Sequence, residues 1–218
     1  MARRYELIVF DWDGTLMDST SAIVASIQAA ARDLGIEPPS DERASHIIGL
    51  GLIDALRHAL PDLPAERYQA VAERYRYHFL ARDHELLLFE GAKELIDELT
   101  QAGHFLAVAT GKTRKGLDRA FEVSGLGPRF HASRCADECH SKPHPQMLEE
   151  LMDEFGVEPG ATLMIGDTTH DLLMARNAGV AALGVAYGAH PRDALEAESP
   201  LYCAADVPQL AAWLRERA

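Results

Sequence analysis

Hydrophobic and polar positions follow two rhythms along this chain. Short, β-rich apolar runs recur: LIVF ending at Phe10, FLAVAT over 105–110, TLMIG over 162–166 and AALGV over 181–185. Runs so short and so continuously apolar fit strands buried on both faces of a parallel sheet. The first is predicted over Glu6–Phe10, and a weaker one over Phe130–Ser133. Between them the spacing turns helical. Ile23, Ile27, Ala31 and Leu34 form a stripe stopped by Gly35. Leu95, Ile96 and Leu99 form another that ends near Gly103. Leu117, Ala120 and Phe121 sit on a helix closed by Gly125, and Met147, Leu148, Leu151, Met152 and Phe155 on one followed by Gly156. Leu172 to Ala178 is a helix stopped at Gly179, and an amphipathic helix runs from Asp206. In every case but this last helix a glycine follows the apolar stripe, as helix C-termini favour.

From about residue 91 onward, strand and helix alternate, which predicts an α/β fold with a parallel sheet. Residues 36–88 differ. They carry helical patterns broken at Pro38-Pro39, Gly49-Leu50-Gly51 and Pro61, with no convincing strand. The expected organisation is a core of residues 1–16 and 89–218, with residues 17–88 inserted as an all-helical cap domain.

Composition narrows the class. With 218 residues, 47% of them hydrophobic, the chain can bury a real core. The formal net charge of −13 disfavours nucleic acid and anionic lipid as partners. No run approaches the ~20 apolar residues of a membrane span. No signal peptide is read at the N-terminus, and Cys135, Cys139 and Cys203 make no disulfide framework, so a cytoplasmic protein is expected.

The strand ends carry the chemistry. FDWDGTL places Asp11 and Asp13 after the first apolar run, one residue apart, with Gly14 allowing a sharp turn. If the strand continues that far, the two side chains point the same way. Converging carboxylates repel unless a cation or proton lies between them. Alone, this could be a strand end followed by an ordinary turn aspartate. MIGDTTHDLLMARNAG repeats the device: Asp167 ends a strand and Asp171 follows four residues later. Thr110, followed by Gly111, ends another strand. Ligands of open α/β sheets bind beyond the carboxyl ends of the strands, so Asp11, Asp13, Thr110 and Asp167 are expected on one edge. Such an oxygen-rich set suits a hard divalent cation, Mg²⁺ first. Lys142, in HSKPHPQML, precedes a proline and supplies a point charge suited to phosphate. At an effective dielectric of ~20, two like charges ~4 Å apart cost roughly 4 kcal/mol. Mg²⁺ plus Lys142 would offset most of that, while Thr110 and the loop amides around Trp12 and Gly111 donate to phosphoryl oxygens.

These residues resemble the haloacid dehalogenase superfamily of phosphohydrolases. DWDGTL (11–16) looks like its first motif, Thr110 its second, Lys142 in SKPHP its third and GDTTHD (166–171) its fourth. The order and spacing fit along almost the whole chain. The insertion after the first motif, and GVAYGAHP (184–191), resemble the phosphoglycolate phosphatase-like branch. The resemblance implies a Rossmann-like core closed by the cap, and a two-step reaction. Asp11 attacks phosphorus to form an aspartyl-phosphate; Asp13 protonates the leaving oxygen and then activates water. Mg²⁺ would be held by Asp11, the backbone carbonyl of Asp13, and Asp167, with Asp171 holding a metal-bound water or Lys142. The family's second motif often continues with Asn; here Gly111 stands instead.

Within that superfamily, Asp13 argues against dehalogenase chemistry. A cap without lysine argues against Schiff-base hydrolysis of phosphonoacetaldehyde. A sugar-phosphate mutase would carry basic residues at the cap tip. The segment IIGLGLIDALRHAL (47–60) instead offers apolar residues and glycine, with Arg57 and His58 a turn or two later. The expected activity is hydrolysis of a small phosphorylated metabolite, phosphoglycolate at family level, with mutase and pyrophosphatase as alternatives. Outside the class, a receiver-type phospho-switch shares the strand-end aspartates but lacks both the insertion and the acid two residues after the nucleophile. Cys135, Cys139, His140 and His144 could suggest a zinc module, yet they crowd into ten residues and overlap the Lys142 loop.

Overall fold

The structure is a computed structural model that describes residues 4–218. Its centre is a parallel sheet of six strands: β1 (Leu7–Phe10), β4 (Phe105–Thr110), β5 (Ala132–Cys135), β6 (Thr162–Gly166), β7 (Ala181–Val185) and β8 (Tyr202–Ala204), in the order β5-β4-β1-β6-β7-β8. β1 lies in the middle, pairing Leu7 with Phe105 on one side and Thr162 on the other. Strand periodicity then splits the core in two. Ile8, Phe10, Leu106, Val108, Leu163 and Ile165 face the helices α5 (Ala92–Ala102) and α10 (Val207–Arg217). Leu7, Val9, Ala107, Ala109 and Met164 face α7 (Gln146–Phe155) and α8 (Thr169–Asn177). Burial on both faces is why these runs read as continuously apolar.

The inserted segment holds α1 (Thr20–Asp33), α2 (Asp41–His46), α3 (Leu52–Ala59) and α4 (Tyr68–Arg82). They share an apolar cluster of their own, including Ile23, Ile27, Ile48, Leu56 and Val71. Two short strands, β2 (Met17–Asp18) and β3 (Leu87–Leu88), pair antiparallel where the chain leaves and re-enters the core. The expectation of no strand in 36–88 is therefore corrected at its last two residues. Leu87–Leu88 becomes a strand because Met17–Asp18 offers it a partner, a tertiary cause that periodicity does not carry.

Other boundaries moved as well. β5 begins two residues after the expected Phe130, and α8 starts at Thr169 rather than Leu172. The edge strand β8 and the short helix α9 (Arg192–Ala197) were not anticipated; each is too short to show a period. α6 (Arg114–Ser124) follows β4 as expected. Among the described residues, no helix is long and apolar enough to cross a membrane.

Candidate active site

β1 ends at Phe10, and Asp11 is the first residue beyond it. One carboxylate oxygen, Oδ1, accepts from Lys142 Nζ at 2.7 Å. The other, Oδ2, is buried and has no hydrogen-bond partner. Lys142 is itself buried and donates to Asp171 Oδ1 at 2.6 Å. Asp171 completes the start of α8: its Oδ2 accepts from the backbone N–H of Thr168 at 3.1 Å and from the Thr168 hydroxyl at 2.7 Å. The reciprocal bond from Asp171 N to Thr168 Oγ1 makes this a capping box. Asp167 ends β6. Thr15 Oγ1 donates to its Oδ1 at 2.9 Å, and the backbone N–H of Ala189 donates to its Oδ2 at 2.7 Å. Gly14 and Gly188 press against this carboxylate, where a Cβ on either would collide with it.

Oxygens of Asp11, Asp167 and Asp171 lie within 4.8 Å of one another. With Lys142, this buried set carries three negative charges and one positive charge if all are ionised. Burial accordingly pushes the Asp11 carboxyl up to about 7 in spite of Lys142. Burial, then the charges of Asp11 and Asp171, raise Asp167 well above the usual carboxylate range. Burial works against the Lys142 ammonium, yet Asp11 and Asp171 hold its pKa above the ordinary lysine value. A divalent cation would balance the remaining charge of −2. The donor set fits one: Asp11 Oδ2 has no donor, and each Asp167 oxygen has only one. Asp171 is already engaged at both oxygens.

Asp13 lies elsewhere. Since β1 stops at Phe10, strand alternation does not aim Asp11 and Asp13 together, and the Asp13 carboxylate stands outside the trio. Both nonetheless face one cavity. Asp13 Oδ1 accepts from Ser19 Oγ at 2.7 Å, and its Oδ2 pairs with Lys112 Nζ at 2.9 Å. Lys112 escaped the sequence reading. The available signal was its position two residues after Thr110, at the same end of the sheet. Thr110 is buried, its Oγ1 accepting from Lys112 N at 3.2 Å. The Trp12 indole is in the core, edge-on to Phe121 and Phe130, so only its backbone faces the loop chemistry expected of it.

Gly111 has a steric reason. A Cβ there would lie 2.6 Å from the carbonyl oxygen of Gly49 and closer still to that of Leu50. The cap loop therefore sits directly on the second-motif position. Gly49 (φ +92°) lets the loop turn there against Thr168. Other contacts seat the same loop: Gly51 N donates to Ser141 Oγ at 2.8 Å, and the His46 carbonyl accepts from His170 Nε2 at 2.8 Å and His190 Nε2 at 3.0 Å.

A cavity of about 650 Å³ separates cap from core, with Asp11, Asp13, Thr110, Gly111 and Lys112 on its core side. Arg57 and His58 do not line it: Arg57 pairs with Asp54 at 3.1 Å on the surface, and His58 Nδ1 lies 2.8 Å from the Asp54 carbonyl. Cys135, Cys139, His140 and His144 form no metal-spaced set, although the His140 and His144 rings are 4.5 Å apart; among the described residues, Asp11, Asp167 and Asp171 form the one group spaced for a metal ion.

Comparison with known proteins identifies the family. The haloacid dehalogenase-like hydrolase family model matches residues 8–185. The chain is 41% identical to the probable phosphatase IndB of Dickeya dadantii, covering 89% of this chain and 86% of that protein. It is 35% identical to a 5'-nucleotidase of Pseudomonas aeruginosa, covering 96% and 95%. A crystal structure described as a predicted phosphoglycolate phosphatase from Haemophilus somnus superposes with a TM-score of 0.87 over 99% of both chains, at 24% identity, a likeness of fold. With a family match spanning most of its length and a relative 41% identical over 89% of it, this chain belongs to the haloacid dehalogenase-like hydrolases.

Proposed function

We propose that the protein is a Mg²⁺-dependent phosphatase that hydrolyses phosphate monoesters through an aspartyl-phosphate on Asp11. The observation that carries this reading is the asymmetry of the Asp11 carboxylate. Lys142 pins Oδ1, while Oδ2 is buried, without a donor, in a residue that faces the cavity. A fixed carboxylate with a free lone pair is a nucleophile in waiting.

In the first step Asp11 Oδ2 forms a bond to phosphorus as the bond from phosphorus to the alcohol oxygen breaks. Asp13, in its protonated form, gives its proton to that oxygen. In the second step Asp13 takes a proton from water, whose oxygen attacks the phosphorus of the aspartyl-phosphate and frees inorganic phosphate and Asp11. Ser19 and Lys112 orient Asp13 for both transfers. Thr110 lines the cavity, where its hydroxyl would meet a phosphoryl oxygen, while Lys142, held between Asp11 and Asp171, would offer its charge from behind the nucleophile. Asp11, Asp167 and the Asp13 carbonyl would hold Mg²⁺, which supplies charge neutralisation for the phosphoryl group. Residues 17–88 act as the cap that excludes bulk water.

The IndB relative, by its name a probable phosphatase, supports the phosphatase reading; the names 5'-nucleotidase and phosphoglycolate phosphatase among similar proteins leave the alcohol open. The test is phosphate release from a panel of monoesters, with Mg²⁺ and with EDTA, for the wild type and Asp11→Asn. Release that depends on both Mg²⁺ and Asp11 is expected. Undiminished release by Asp11→Asn means that another group is the nucleophile.

A further inference from the structure

The cavity is large for the simplest substrates of such a site. Its volume of about 650 Å³ falls in the middle of the range for ligand sites of drug-like size. A two-carbon acid would leave most of it empty. From the cap, the wall is largely apolar: Ile23, Ile48, Leu52, Tyr75 and Phe79 face inward. Four cations also line it, but two are already engaged: Lys112 with Asp13 and Arg119 with Asp83, leaving Arg76 and the exposed Lys115.

The aromatic pair has a specific address. Tyr75 and Phe79 are one helical turn apart on α4, their rings stacked at 5.7 Å and 22°. The Lys112 ammonium lies 4.9 Å from the centroid of the Phe79 ring and 2.9 Å from Asp13 Oδ2. One side chain thus joins the aromatic face to the group that meets the leaving oxygen. Asp13 is also close enough to Tyr75 for its charge to add to the effect of burial in raising the phenol pKa. A flat group attached near the leaving oxygen would lie along these rings.

Resting on the hydrolase reading above, we propose that the alcohol released by this enzyme carries a planar ring, and that the Tyr75–Phe79 wall of the cap selects such esters over two- and three-carbon phosphates. A simple aryl alcohol and the base of a nucleoside share this chemistry. The test compares kcat/KM, with Mg²⁺, for benzyl phosphate, uridine 5′-monophosphate, phosphoglycolate, glycerol 3-phosphate and pyrophosphate. None of the four alcohols is unusually activated, so among the esters ring binding rather than leaving-group acidity is read; pyrophosphate, an anhydride with a better leaving group, makes the comparison stricter. At least one ring-bearing ester is expected to exceed phosphoglycolate, glycerol 3-phosphate and pyrophosphate by tenfold or more, and the better of the two identifies the source of the ring. Phe79→Ala should shrink that ratio at least fivefold. A wild-type measurement, independent of how the variant folds, stands beside it: benzylphosphonate should inhibit at least ten times more tightly than methylphosphonate. If phosphoglycolate or pyrophosphate is hydrolysed as well as the ring-bearing esters, in an Asp11-dependent reaction, the substrate inference is overturned and the hydrolase reading stands. If no ester gives Asp11-dependent phosphate, both fall.

Discussion

At the core edge of the site, Asp11, Asp167, Asp171 and Lys142 are all essentially inaccessible, and each is fixed by groups from distant parts of the chain. Across the cavity, Tyr75 and Phe79 are half-buried and Leu80 is about half exposed. The core side is a set of buried carboxylates gathered on one buried cation, Lys142, whose removal leaves them without compensation. The cap side is apolar area, where one side chain can replace another at modest cost. A site built this way can keep its reaction while its choice of alcohol changes.

The largest effect should come from Asp11, the proposed nucleophile. Asp11→Asn is nearly isosteric and relieves part of the excess negative charge, so the fold should survive and the metal-free protein should be no less stable. Turnover of any phosphate ester should fall by at least about a thousandfold. Phosphate release together with thermal melting checks both halves of the statement.

Lys142→Met breaks the core side differently. It keeps the unbranched stem up to the position of the ammonium but leaves Asp11 and Asp171 facing each other in the interior. The expected loss is about 3–5 kcal/mol of unfolding free energy, measured by urea denaturation without Mg²⁺. A loss under about 1 kcal/mol would mean that the carboxylates are solvated or protonated without strain, and the buried pairing would not matter as described. The matching change on the cap side, Phe79→Ala, should cost less stability because that ring is only half-buried.

The same contrast decided what could be read in the sequence. Strands buried on both faces announce themselves as LIVF or TLMIG, and carboxylates at their ends stand out against that background. Asp11, Asp167, Asp171 and Lys142 were therefore legible before their geometry was known. Their partnership was less so: Lys142 between Asp11 and Asp171 is a contact across 131 and 29 residues. Lys112 was missed because a lysine after a strand end usually faces solvent, and only the tertiary fold places Asp13 beside it. Leu87–Leu88 and Tyr202–Ala204 were missed because two or three residues show no period. The cap wall was illegible for another reason. Apolar residues on cap helices look the same whether they face a core or a cavity, and Tyr75 and Phe79 carry no mark that separates the two.

Where core and cap touch, Gly111→Ala sharpens the comparison. Its Cβ would collide with the Gly49 and Leu50 carbonyls, backbone atoms that cannot rotate away. The strain can be relieved by lifting the cap loop, so folding should be nearly unaffected while closure suffers. The expected result is a fall in kcat/KM of roughly tenfold to a hundredfold, the scale of a small misplacement at an active site, with the melting temperature little changed. A fall in stability without a fall in kcat/KM would place the loop's role in folding instead.

The smallest predicted effect concerns pH at the other contact of cap and core. His190 Nδ1 accepts from the backbone N–H of Thr169 at 3.0 Å while its Nε2 donates to the His46 carbonyl, so the ring is held in its neutral form. Burial, with His170 nearby, lowers its pKa to about 4. The unfolded chain, with an ordinary histidine pKa near 6.5, binds the proton first as pH falls. This group therefore stabilises the fold less as pH drops through the window from about 6.5 to 4. Over pH 7 to 5 the loss should be about 1–2 kcal/mol. Asp11 acts oppositely in metal-free protein: its raised pKa makes its contribution fade as pH rises towards about 7. The two are separated by subtraction. His190→Gln can still donate to the His46 carbonyl but does not titrate, so the difference in unfolding free energy between wild type and variant should narrow or reverse by that amount on acidification from pH 7 to pH 5. A difference that stays constant over that range would mean that the ring takes up its proton as readily in the folded protein as in the unfolded chain.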